Sequence, residues 1–203
     1  MGDRLSLEEK LRSTLAKNSL ELGDLNHRIP AAVLVPFCCV EDEWHLLFTK
    51  RTNGVAKHQG EISFPGGAAE DDDKDLIETA IRETCEEIGL AKEYIRVVGV
   101  MEPVPTVSNY CVLPVVAIIK LTGVLNLNPD EVEDIIYIPV TWLKEEENWR
   151  IEDFYFAAGK SKPVLHYKDF KGMHLWGITA GMAQKITSTL EKNERATDPL
   201  VAK

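Results

Sequence analysis

The chain has 203 residues, 44% of them hydrophobic, and carries a net charge of −10 with a pI near 5.0. This length and composition predict one globular domain, and the negative charge argues against a nucleic-acid-binding surface. Residues 1–15 are charged throughout, and no apolar run approaches about 18 residues, so we expect neither a signal peptide nor a membrane contact. The sequence lacks C-x-x-C spacing among its four cysteines, Cys38, Cys39, Cys85 and Cys111. This favours reduced thiols in a cytoplasmic protein.

The first predicted elements are a helix and a strand pair. Leu7, Leu11 and Leu15 recur at helical spacing and predict an amphipathic helix over residues 7–17. This helix could pack on the domain or on a second subunit, so a homodimer is possible. The apolar runs "AAVLVPFCCV" (31–40) and "WHLLFTKR" (44–51) predict two strands buried in a sheet. Residues 52–67 are rich in glycine and polar residues and predict a loop with a short extended piece near residues 62–64.

The second half of the chain mixes strands and helices. A helix is predicted over Asp73–Ile88, ended by Gly89 as a C-terminal cap. The remaining predicted elements are strands within residues 94–104, 110–121 and 134–140, a short helix or loop at 141–149, a hairpin at 162–177 with its turn near 168–171, and a closing helix at 177–193. This irregular order is typical of a single α/β domain with a mixed sheet.

Three glutamates crowd the end of the predicted helix. Glu83, Glu86 and Glu87 repel one another, each pair by a few tenths of a kcal/mol, at the end where the helix dipole favours cations. A helical wheel of about 100° per residue places them mostly beside a core-facing stripe. A solvated acidic face would explain the cluster, but the glycine-rich "FPGG" precedes it. Three convergent carboxylates are the ligands that Mg²⁺ or Mn²⁺ binds, and Arg82 could orient one by a charge-assisted hydrogen bond.

The stretch "GGAAEDDDKDLIETAIRETCEEIGL" (66–90) resembles the Nudix box, G-x5-E-x7-R-E-U-x-E-E-x-G-U, in which U is aliphatic. The residues in register are Arg82, Glu83, Glu86, Glu87, Gly89 and Leu90. Thr84 replaces the usual aliphatic residue. The spacing from Gly67 to Arg82 is one residue longer than the pattern, so the first glutamate of the box has no match in register and Asp73 is the nearest acid.

The longer spacing resembles the coenzyme A diphosphatase branch of that family. So does the upstream run "LLFTKRTNGVAKHQGEISFPGG" (46–67), since that branch commonly reads LLT-x-R-(S/A)-x3-R-x3-G-x3-FPGG. Ala56 stands where the branch has a second arginine, and Lys50 or Lys57 could compensate. The resemblance covers roughly residues 30–190. It implies a Nudix-type α/β/α sandwich with a mixed sheet at residues 29–194, a helical extension at 1–28 and a tail at 195–203.

The resemblance also implies an activity. Members hydrolyse a nucleoside diphosphate linked to another moiety, here coenzyme A or a derivative, with Mg²⁺ or Mn²⁺ as cofactor and a small-molecule diphosphate as partner. ADP-ribose, a nucleotide sugar, a dinucleoside polyphosphate or an oxidised nucleotide is an alternative substrate. A non-catalytic nucleotide-binding module is a further alternative, which the intact box acids oppose.

Site roles follow from the same resemblance. It implies Glu83 and Glu87 as direct metal ligands, Glu86 as a ligand directly or through water, and Arg82 as the residue that orients one of them. Backbone groups of Gly66 and Gly67 would lie near the metal or the diphosphate. Arg51 and Lys50 end a predicted strand and could grip phosphate, although a solvated pair explains them equally. The general base is a box glutamate or an acid outside the box, for which Glu131 in "NPDEVED" is the candidate.

Overall fold

The computed structural model of the protein describes residues 2–15, 27–52, 60–155 and 161–196. The helices are α1 (Gly2–Thr14), α2 (Leu76–Ile88), α3 (Val140–Lys144) and α4 (Gly177–Ala196). The strands are β1 (Ile29–Val40), β2 (Glu43–Arg51), β3 (Ile62–Ser63), β4 (Gly66–Ala68), β5 (Ile95–Val100), β6 (Val104–Pro105), β7 (Tyr110–Ile119), β8 (Val132–Pro139), β9 (Trp149–Tyr155) and β10 (Ser161–Tyr167). None of the helices in these ranges is long and apolar enough to cross a membrane.

The main sheet is mixed, as the sequence predicts. Its central order is β3-β2-β1-β7-β5, with β4 paired to β1, β6 to β7 and β8 to β2. The β1 and β7 pair is parallel, whereas the other pairs of this sheet are antiparallel. Side chains of β1 alternate between the two faces, and both faces are buried. This is why residues 31–40 read as a continuous apolar run and not as an alternating one.

Helices cover both faces of the sheet. On one face, α2 packs Leu76, Ala80 and Ile88 against a cluster that includes Leu34 and Leu47. On the other face, residues from the remaining three helices join a second cluster with Phe37 and Phe48. Each fully buried Leu, Ile or Phe side chain contributes about 1.5–3 kcal/mol. The architecture is therefore an α/β/α sandwich, which confirms the predicted fold class.

The N-terminal helix belongs to this packed unit. It begins at Gly2, earlier than the predicted residue 7, and ends at Thr14. Leu7 and Leu11 are buried in the core cluster that α4 also covers. The helix therefore packs on its own domain. All four cysteines are free.

Two strand assignments differ from the sequence prediction. Residues 66 and 67 lie in the predicted loop 52–67, yet together with residue 68 they form β4 and pair with residues 31–33 of β1. Residues 162–177 were predicted to form a hairpin, but β10 pairs along its length with β9, in a separate two-stranded sheet. The predicted return near 168–171 exists as bridges from Phe170 to Met173 and from His166 to Trp176. A sequence pattern cannot show which strand is the partner, because pairing depends on the tertiary fold.

Candidate active site

Helix α2 is fixed at both ends by its own sequence. The Asp75 side chain caps its first turn by accepting a hydrogen bond of 2.9 Å from the Glu78 backbone N–H. The helix therefore starts at Leu76, three residues after the predicted Asp73. Gly89 ends it with a left-handed φ of 66° and donates its N–H to the Cys85 carbonyl. These caps place the acidic residues in the last two turns of a regular helix.

Gly66 and Gly67 bring strand β4 against both β1 and α2. A Cβ at Gly67 would lie 2.5 Å from the carboxylate carbon of Glu83, and a Cβ at Gly66 would lie 2.6 Å from Cα of Val33. The clash at Gly66 is with backbone atoms, so only glycine permits this packing there, whereas a Cβ at Gly67 would push the Glu83 carboxylate aside. The carboxylate of Glu83 therefore rests directly on the backbone of β4.

Arg82 joins several acidic side chains in one network. Its Nε donates to Asp73 Oδ1 at 3.0 Å and its Nη2 donates to Asp73 Oδ2 at 3.1 Å, a bidentate pair. Its Nη1 donates to Glu83 Oε1 at 3.0 Å and to Glu86 Oε2 at 3.1 Å, and its Nη2 donates to the Ala68 carbonyl at 3.2 Å. The arginine thus links α2 to β4 and to the turn between them.

Asp73 is the network member that the predicted site omits. The Arg82 guanidinium lowers the pKa of this carboxyl to about 2, with further help from the Glu70 backbone N–H and the Thr79 hydroxyl. Counted back from Arg82, no acid lies in register with the first glutamate of the box. Counted forward from Gly67, Asp73 follows after five intervening residues, as the pattern requires. The extra residue therefore lies between Asp73 and Arg82, and counting from the glycine would have identified it.

Glu87 is a buried carboxylate with little compensation. Its side chain is 3% exposed, and Oε2 has no hydrogen-bond partner among the described residues. Its pKa is raised to about 8, chiefly by burial and also by the neighbouring charges of Glu83 and Glu131. Arg51, whose Nη1 lies 3.9 Å from Oε1, and a hydrogen bond from the Gly66 backbone oppose this shift. A negative charge here therefore needs a further positive partner.

The buried face of α2 differs from the predicted stripe. Three residues of the predicted stripe, Ala80, Thr84 and Ile88, are buried, but its other two members, Ile77 and Ile81, are only half-buried. Thr79 and Glu87, which lie outside the stripe, are buried instead. The helix is rotated so that β4 and β1 cover the side that bears Glu87. The helical wheel placed Glu87 beside the core stripe and the structure places it within the buried face, because a wheel shows angles and not which neighbours cover them.

Glu131 lies near the helix although it comes from a different part of the chain. The Asn128 backbone N–H donates to the Glu87 carbonyl at 2.9 Å, which attaches this loop to the end of α2. The Asn128 side chain then donates to Glu131 Oε1 at 3.1 Å. The charge of Glu131 raises the pKa of both Glu83 and Glu87. The structure therefore brings the predicted external acid to the box acids.

These residues fit a divalent cation. No three His, Cys, Asp or Glu side chains within the described ranges form a preformed metal cluster. However, burial raises the pKa of Glu83 as well as of Glu87, and the unpartnered Oε2 of Glu87 is a hard oxygen ligand. Glu83 and Glu87 would hold the ion. Glu86 is 56% exposed and bound to Arg82, so it would reach the ion only after a rearrangement or through water.

The predicted cationic residues separate in the structure. Arg51 faces Glu87, as described above. Lys50 is the preceding residue of β2, and its Nζ donates to Glu133 Oε1 at 2.6 Å instead of joining the acidic group. Consecutive strand residues point to opposite faces, so both cannot reach one site from the strand. Lys57 lies outside the described residues.

The fold and the site together define a class: α/β/α proteins in which an arginine-braced acidic helix packs on a glycine-containing strand. The family model described as NUDIX domain matches residues 28–158. The chain belongs to the Nudix family.

Similar proteins agree with this membership. The chain is 34% identical to Nudix hydrolase NudL of Pectobacterium atrosepticum over 81% of this chain and 84% of that protein. It is 32% identical to Nudix hydrolase NudL of Escherichia fergusonii over 90% of this chain and 93% of that protein. A crystal structure of a MutT/nudix family protein from Enterococcus faecalis superposes with a TM-score of 0.53 at 14% identity, over 99% of this chain and 73% of that one, which supports the fold alone.

Proposed function

We propose that the protein is a metal-dependent hydrolase of a nucleoside diphosphate linked to another moiety, with coenzyme A or its derivatives as the first candidate substrate. One observation carries the proposal: a buried, incompletely partnered Glu87 carboxylate lies among other acids on a Nudix helix. A site that is short of positive charge is suited to a divalent cation that brings a phosphate group with it.

Each residue has a role that its position supports. Glu83 and Glu87 would hold the cation, and Arg82 would keep Glu83 and Glu86 in place through its hydrogen bonds. Arg51, next to Glu87, would contact a phosphate oxygen of the substrate. A bound Mg²⁺ or Mn²⁺ supplies charge neutralisation at the diphosphate and a lowered pKa for water.

Glu131 would take the proton from the attacking water. It belongs to a loop that is hydrogen-bonded to the end of α2, and Asn128 fixes one of its oxygens. The other oxygen, Oε2, would be the one that accepts the proton. A general base must lie within hydrogen-bond reach of the proton that it removes. Glu131 lies close enough to Glu83 and Glu87 for its charge to raise the pKa of both, which supports this role.

The sequence gives two substrate candidates. The long spacing between Gly67 and Arg82 and the "FPGG" run favour coenzyme A derivatives. Ala56, which lies outside the described residues, replaces an arginine of the coenzyme A pattern and favours another diphosphate such as ADP-ribose.

A substrate panel tests the proposal. Coenzyme A, an acyl-coenzyme A, ADP-ribose, a dinucleoside polyphosphate and oxidised dGTP are each incubated with Mg²⁺ and with Mn²⁺. We expect hydrolysis of the coenzyme A compounds at the highest kcat/KM, and its loss in Glu83→Gln. The control is Glu78→Gln, which lies on the same helix, outside the Arg82 network, and bonds to Lys92. A preference for ADP-ribose would show that coenzyme A is not the substrate. Absence of turnover with the whole panel would refute the proposal that the protein is a hydrolase.

A further inference from the structure

A cavity of about 320 Å³ lies outside the acidic site. Lys50 and Ile62 line it on the side of the main sheet, and Met173, His174 and Trp176 line it on the side of the segment that precedes α4. Small-molecule sites span about 300–1,000 Å³, so this cavity has room for one ring-sized group and not for a whole dinucleotide. Its lining combines an indole ring and apolar side chains with a few polar groups, which is typical of such sites.

The cavity and the acidic site lie on opposite sides of one strand end. Arg51 and Lys50 are consecutive in β2, so their side chains point to opposite faces. Arg51 lies 3.9 Å from Glu87, whereas Lys50 lines the cavity. Backbone hydrogen bonds between Arg51 and the pair Gly60 and Glu61 hold this strand end in place. The cavity and the acidic site are therefore reached from adjacent residues of one strand end.

The indole wall of the cavity is held by a chain of polar rings. The Trp176 ring stacks on His166 with centroids 5.7 Å apart and planes 15° apart. His166 Nδ1 lies 3.1 Å from His174 Nε2, and His174 Nδ1 lies 3.0 Å from Asp169 Oδ1, both at hydrogen-bond distance. A fixed aromatic surface loses little conformational entropy when a ligand binds. The Trp176 ring that lines the cavity is thus held in place by these contacts.

We propose that this cavity binds a heteroaromatic base of the diphosphate substrate, stacked on Trp176 with its polar edge toward Lys50. The inference rests on the proposed function, because the diphosphate at the acidic site fixes the other end of the substrate. Every base can stack on an aromatic side chain, whatever hydrogen-bonding groups lie along its edge, because every base has a π-face. The polar lining then restricts which edge fits.

Equilibrium binding of AMP and of ribose 5-phosphate, measured by calorimetry without divalent metal, tests the cavity apart from hydrolysis. We expect the wild-type protein to bind AMP at least tenfold more tightly than ribose 5-phosphate. Trp176→Leu should lose roughly tenfold in AMP affinity with no change for ribose 5-phosphate, while Trp176→Phe should retain most of it. Trp44→Phe, a half-buried tryptophan outside this lining, is the matched control. If Trp176→Leu fails to fold, Met173→Ala, which shortens another side chain that lines the cavity, should also weaken the binding of AMP.

The outcomes separate the two proposals. If the wild type hydrolyses a diphosphate but Trp176→Leu binds AMP as the wild type does, the cavity inference is wrong and the hydrolase stands. Equal wild-type affinity for AMP and ribose 5-phosphate would also overturn it. If AMP binding depends on Trp176 although no diphosphate is hydrolysed, the cavity is a base site and the hydrolase is wrong. For a hydrolysed substrate, Trp176→Leu should raise KM and leave kcat nearly unchanged, because stacking binds ground state and transition state alike.

Discussion

Replacing Glu87 by glutamine should stabilise the metal-free protein. The folded-state pKa of Glu87 is raised to about 8 from an ordinary value of 4.5, chiefly by burial. The folded state therefore binds the proton more tightly than the unfolded state does, and stability falls as pH rises from 4.5 towards 8. At pH 7, about 2.5 units above the ordinary pKa, the folded protein has lost about 3 kcal/mol of stability relative to its stability at low pH, at about 1.36 kcal/mol per unit. Glutamine carries no charge and escapes this cost.

Thermal unfolding in EDTA at pH 4.5 and pH 7 measures the effect. One kcal/mol shifts the Tm of a protein of this size by about 2–4 °C, so Glu87→Gln should unfold about 6–12 °C above wild type at pH 7. The two proteins should differ little at pH 4.5. Glu86→Gln is the matched control, since Glu86 is 56% exposed and its pair with Arg82 contributes about 1 kcal/mol or less.

Added Mg²⁺ or Mn²⁺ should largely remove this difference in stability at pH 7. A cation at about 100 times its Kd stabilises the protein that binds it by about 2.7 kcal/mol, and Glu87→Gln should lose most of that gain together with its activity. If Glu87→Gln is no more stable than wild type at pH 7 in EDTA, the buried carboxylate is not short of positive charge. If it gains as much as wild type from the cation, Glu87 is not a metal ligand.

Three further changes test other parts of the site. Asp73→Asn should lower the free energy of unfolding by about 2 kcal/mol at pH 7 in a urea titration, because the pKa of Asp73 is lowered to about 2 from 3.8. The greater stability of the wild type should disappear as pH falls from 3.8 to 2. An equal loss of stability at all pH values would contradict the charge argument. Gly67→Ala should cost about 1–3 kcal/mol of stability and reduce activity at least tenfold, since its Cβ would lie 2.5 Å from the Glu83 carboxylate; unchanged kinetics would show that this approach is not needed. Glu131→Gln should lower kcat about 10²- to 10⁴-fold and keep the stabilisation by metal, whereas loss of that stabilisation would make Glu131 a ligand instead of a base.

The helix and its residue types were predictable, but its environment was not. The register of Arg82, Glu83 and Glu86 follows from local spacing, and the structure shows the contact of Arg82 with Glu86 that the sequence suggests. The burial of Glu87 depends on which strand covers the helix. Strand β4 is only three residues long and contains two glycines, so it has neither the length nor the β-branched residues that mark a strand. Local patterns therefore miss the element that buries the acid.

The same reasoning explains what was missed around the cavity. Residues 166, 174 and 176 are separated by a turn, and nothing in their types predicts that His166 lies against Trp176. His174 is 44% exposed, and its ring nitrogens lie at hydrogen-bond distance from Asp169 on one side and from His166 on the other. The return near residues 168–171 brings His166 opposite Trp176, but local preference does not show which side chains then contact one another.

Arg82 and Glu87 together explain how this site can tolerate several acids without a bound cation. Arg82 contacts Asp73, Glu83 and Glu86, so one guanidinium offsets much of the negative charge on the exposed side of the helix. It does not contact Glu87, which turns to the buried side and has only Arg51 at 3.9 Å. The cost of carrying a negative charge is thereby concentrated on one carboxyl group, whose pKa is raised to about 8, so that it is mostly protonated at neutral pH before the cation binds. Because that carboxylate is the least hydrated of the group, its interaction with a cation is screened least by water, and the stability that it costs in the free protein is regained when the cation binds.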